Sequence, residues 1–126
     1  MSNSDVLMES RNLLLKLHKS LVDQERSTYE TFHGKTSSTD FLNLLLNDED
    51  FEWLRRFSTL IVDIDEMFAQ KEAFSDEAVD AHLKRTRELL AMAGEDDYFR
   101  SKYQLALQND LEAASLHAEI KRVLQK

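Results

Sequence analysis

Leucines recur at helical steps from the start of the chain. Leu7, Leu14, Leu17 and Leu21 fall on one side of a helix, and Val6, Leu13 and Val22 widen the stripe. This spacing predicts a long first helix over 4–33, with Gly34 as its C-terminal cap. Beyond Val22 the apolar pattern thins to Tyr29 and Phe32, so 23–31 is expected to project past the core or to be covered from outside the chain. The polar run Lys35-Thr36-Ser37-Ser38-Thr39 offers caps for a short helix over 40–46. There Phe41, Leu42, Leu44, Leu45 and Leu46 surround nearly the whole circumference. A helix that is apolar all round must be buried on several sides, so this one either plugs the end of the fold or meets another molecule.

The pattern resumes with Trp53/Leu54, Phe57, Leu60/Ile61, Ile64 and Met67/Phe68, a heptad-like repeat that predicts a helix over 48–72 capped by Asn47. Phe51 and Val62 broaden its stripe, which suits a central position. Ser75 caps a further helix over 76–93, with Phe74 and Val79 as a hydrophobic staple and Gly94 at its end. Phe99, Tyr103, Leu107, Leu111, Ala114, His117, Ile120 and Leu124 then predict one last helix over 96–125. The expected fold is all-α, a single domain over 1–126. Its architecture is an antiparallel up-and-down four-helix bundle with one additional short helix between the first and second long helices.

Composition sharpens the class. The chain has no proline and only two glycines, and strand-like alternation is absent. With no cysteine, disulfides, Cys-based zinc sites and thiol catalysis are excluded. No apolar run approaches the roughly 20 residues that cross a bilayer, and the N-terminal residues lack the features of a secretion signal, so a cytoplasmic protein without a membrane partner is expected. Acidic residues outnumber basic ones 24 to 16, for a net charge of −8, which disfavours nucleic acid as a partner. Many of the acids fall where helices start, and Lys121, Arg122 and Lys126 fall where the last one ends, the order that the helix dipole favours.

Candidate chemistry is sparse. A carboxylate-bridged di-iron bundle needs Glu-x-x-His on two helices. The chain offers one, Glu30-Thr31-Phe32-His33, at a helix end beside Gly34. His33 is therefore read as serving the helix C-terminus, and no metal is expected. His18 and His117 lie beside or within apolar stripes at similar heights of the bundle, with His82 partly inward as well. The first two could in principle clamp a haem or a metal, but boundary histidines with ordinary hydrogen-bond partners are the favoured reading. Asp63 and Asp65 flank the core-facing Ile64, and matching heights pairs them with Arg85 and Lys84. Arg55-Arg56 and Lys84-Arg85 have acids one turn before them and read as solvated faces. Phosphate loops and nucleophile elbows are absent.

What remains is apolar surplus. Phe41, Leu45, Leu46, Phe51 and Trp53 supply more bulk than one bundle seam needs, and such residues are common interface anchors. The expectation is a non-catalytic protein–protein interaction or regulatory protein. It would be a homodimer through the short apolar helix or an accessory of another protein, with no cofactor. The alternative is a ligand-, haem- or metal-binding bundle, enzymatic or not, using the core histidines and carboxylates.

Overall fold

Five short polar side chains set where helices begin. Ser2, Ser37, Ser75, Asp96 and Asp110 each accept a hydrogen bond from a backbone N–H two or three residues ahead, satisfying donors that the first helical turn leaves free. The computed structural model describes residues 1–125. Their regular structure is wholly helical: α1 (Asn3–His33), α2 (Ser38–Asn47), a 3-10 turn (Glu49–Phe51), α3 (Glu52–Phe68), α4 (Asp76–Leu90), α5 (Asp97–Asn109) and α6 (Leu111–Leu124). None of these helices is long and apolar enough to cross a membrane.

Two expected helices are divided. The segment predicted as 48–72 opens as the 3-10 turn, whose cap is Asp48. Asn47 is instead the last residue of α2, and its amide donates to the Asn43 carbonyl at 3.1 Å. The final helix breaks at Asp110, which adopts an extended backbone (φ −125°, ψ 105°). Its carboxylate accepts both the Glu112 N–H at 3.0 Å and the Ser20 hydroxyl at 2.6 Å. Asn and Asp are weak helix formers that cap well, and here the cap prevails over an apolar phase that runs through the break. Leu111, expected on the core stripe, is consequently 83% exposed.

α1 lies against α6, α3 and α4. It runs antiparallel to α3, since Arg11 meets Asp65 at one end and Tyr29 meets Phe51 at the other. α3 and α4 form a hairpin tied by Arg85 and Asp63 at 2.9 Å. The expected Lys84 partner of Asp65 is replaced by Arg11, which grips both carboxylate oxygens at 2.7 and 2.8 Å. The geometry explains the exchange. Residues two apart on a helix point about 200° apart, so Asp63 and Asp65 address different neighbours.

At the centre, Trp53 and Phe57 of α3 interlock with Phe99 and Tyr103 of α5, with ring centroids between 5.1 and 6.5 Å apart. Leu7, Leu14, Leu17 and Leu21 complete this core from α1. The thinly apolar part of α1 does not project. Tyr29 packs on Phe41 and Phe51, Arg26 lies over the Phe41 ring, and Lys102 of α5 pairs with Glu25. The chain itself covers the Tyr29 face of that end, whereas Phe32 stays 78% exposed.

Candidate functional site

The short helix divides its apolar residues between two fates. Phe41 is 3% exposed, locked against Tyr29 and Phe51. Leu44 and Leu45 are half-buried against the core. Leu42 and Leu46, one turn apart on the outer face, remain 53% and 57% exposed. Phe51 and Trp53 lie within the chain's own core, so of the five interface candidates Leu46 and part of Leu45 reach the surface.

α2 is held in this attitude from behind. The Arg55 guanidinium donates to the Leu46 and Asp48 carbonyls at 2.5 and 3.0 Å, satisfying oxygens that the helix end leaves free. The outer leucines therefore sit on an anchored helix and form a ridge.

Each side of the ridge carries its own groove. On the α1 side, a groove of about 470 Å³ is lined by Leu15, Lys16, His18, Lys19, Val22 and Leu45. Its floor is apolar, Leu15 is 45% exposed, and its rim is basic. On the far side, a depression of about 350 Å³ is lined by Asp40, Asn43, Leu44, Asn47 and Asp48. Glu49 and Asp50 follow directly, both exposed. The surface thus runs from basic through apolar to acidic across one helix. Leu15, Lys16 and Lys19 escaped the sequence reading. The available signal was a second apolar line on α1, Met8, Leu15 and Val22 at seven-residue spacing, beside the stronger Leu7–Leu14–Leu21 line.

The remaining candidates stand apart. His117 Nδ1 lies 2.6 Å from the Tyr103 hydroxyl, with the rings edge to face, which ties α6 to α5. Burial pushes the Tyr103 phenol far above its ordinary range and pushes His117 down, Lys121 adding to the latter. His18 opens onto the groove beside Leu45, and burial lowers its pKa too. The two histidines therefore occupy different surroundings. His82 is lowered by burial and by Arg85. Glu30 accepts the Thr36 N–H at 2.8 Å, whereas His33 stacks on Tyr29 with its Nδ1 3.2 Å from the Tyr29 carbonyl oxygen. These two face different partners rather than one point. Among the described residues no three His, Asp or Glu side chains gather as a metal site.

A polar groove of about 350 Å³ between α3 and α4 holds Arg56, which is saturated by Glu52, Glu95 and Asp96. The Phe99 N–H and Arg56 together hold the Asp96 carboxyl below its usual range. This network joins the start of α5 to α3 and leaves no free guanidinium on Arg56. No protein-family model matches the chain, and no curated protein or solved structure matches it either.

Proposed function

We propose that this chain is a non-catalytic interaction module that self-associates through α2, the Leu42–Leu46 ridge meeting a second copy. The observation that carries the reading is the split character of α2. Of its apolar residues only Phe41 is fully buried, while two leucines stand exposed on an anchored outer face. Fully burying an exposed leucine is worth about 1.5–3 kcal/mol, so covering the exposed half of two on a helix fixed by Arg55 favours association by part of that each. In the finer architecture that we propose, α1, α3, α4 and α6 are the four members of an antiparallel bundle, α5 folds back on α6 and packs against α3, and α2 is the element presented outward.

Native mass spectrometry and light scattering test this directly. The wild-type chain is expected as a dimer. Leu46→Asp is expected to be a monomer with unchanged far-UV circular dichroism, because the side chain it replaces faces water in the single chain. A wild-type chain that remains monomeric across its soluble concentration range overturns the reading.

A further inference from the structure

The order of charge across α2 carries a consequence for how two copies would meet. In a twofold-symmetric interface, what lies on one side of the axis on one copy meets what lies on the other side on its partner. Here the ridge of Leu42 and Leu46 is flanked by Lys16 and Lys19 on one side and by Asp40 and Asp48 on the other, with the exposed Glu49 next along the chain. A twofold that runs along the ridge, with the two α2 helices parallel, therefore brings each copy's basic rim against its partner's acidic flank, twice. Lys16, Lys19, Asp40 and Glu49 are exposed and free to reach across. Lys19 already pairs with Asp23 within α1 at 2.7 Å, but both side chains are largely open to water and the pair exchanges readily.

We infer that the partner of this surface is a second copy of the same chain, docked ridge to ridge about a twofold along the ridge, with Lys16 and Lys19 of each copy facing Asp40 and Glu49 of the other. This inference rests on the self-association proposed above and adds its symmetry and its selectivity. The charge complementarity argues for a like copy because the surface is its own complement. A single partner helix with acidic flanks would satisfy the basic groove alone and leave the acidic side facing water. Charge matching of this kind sets register and partner choice more than raw affinity.

The experiment uses two full-length double variants, Lys16→Glu/Lys19→Glu and Asp40→Lys/Glu49→Lys, studied alone and mixed. Asp48 is left intact because it caps the 3-10 turn. Each variant alone brings like charges together at both ends of the interface, and its self-association is expected to weaken roughly tenfold or more. Mixed, they restore opposite charges at both ends, and a dimer of mixed mass is expected to outweigh either homodimer and to approach wild-type affinity.

If the wild type dimerises and Leu46→Asp abolishes dimerisation, but both double variants associate like wild type and mix statistically, the charge register is wrong and the ridge reading stands. If the wild type is monomeric, both fall. If only Lys16→Glu/Lys19→Glu weakens association and mixing restores nothing, the contact is not twofold and the inference is overturned.

Discussion

The Tyr103–His117 pair shows how a single buried titratable group links fold to pH. The Tyr103 hydroxyl, with its pKa raised by burial, stays protonated and shares a hydrogen bond with His117 Nδ1 at 2.6 Å. Burial, and then Lys121, lowers His117 from 6.5, so the folded chain resists the second proton that the unfolded chain accepts. Above pH 6.5 both states carry neutral histidine and the full stability is present. As pH falls below that value the unfolded state gains protons first, and stability declines until the folded pKa is passed. His18 and His82 shift in the same direction and add to the slope. The carboxylate Asp96 loses its contribution only below its own ordinary value of 3.8, in a separate window. Urea unfolding followed from neutral pH downward is therefore expected to show a falling midpoint beginning near 6.5, made shallower by His117→Asn. An unchanged slope in that variant would show that His117 titrates alike in both states.

Among the elements, the break at Asp110 marks what could and could not be read from the sequence. Helix starts at Ser75 and Asp96 were legible because cap chemistry is local, a side-chain oxygen and an N–H three residues on. The break was not, because Phe99, Tyr103 and Ile120 hold a helical phase across it while the deciding contact, Ser20 to Asp110, spans 90 positions. The candidate site divided in the same way. The apolar surplus of 40–46 was plain, but whether Phe41 or Leu46 turned inward depended on Tyr29 and Phe51 from elsewhere in the chain. The all-α class needed only composition and period, whereas the partner of Asp65 needed the position of α1. Asp110→Ala is expected to remove the α6 cap and leave the buried Ser20 hydroxyl without its acceptor. The loss of stability would be about 1–3 kcal/mol, read from the shift of the denaturant midpoint. Asp110→Asn keeps a cap oxygen and is expected to lose less. Equal loss in both variants would assign the effect to charge rather than to capping.

For the whole molecule, the net charge and the local surface oppose each other. Two copies each bring −8, a repulsion felt at long range, while the flanks of α2 offer opposite charges at contact distance. Salt separates the two because screening acts first on distant charges, with a Debye length of about 10 Å at 0.1 M and about 3 Å at 1 M. Self-association is therefore expected to strengthen as salt rises from near zero toward ~0.1 M, where overall repulsion fades, and to weaken again toward ~1 M as the contact pairs are screened. Sedimentation equilibrium across that range measures it, with Leu46→Asp remaining monomeric throughout as the control. Affinity that climbs steadily to the highest salt would make the leucine ridge the sole source of association, since apolar contact survives screening and ion pairing does not. Affinity that only falls would mean that the local pairs outweigh net repulsion even unscreened, and that charge has the larger part in choosing the partner.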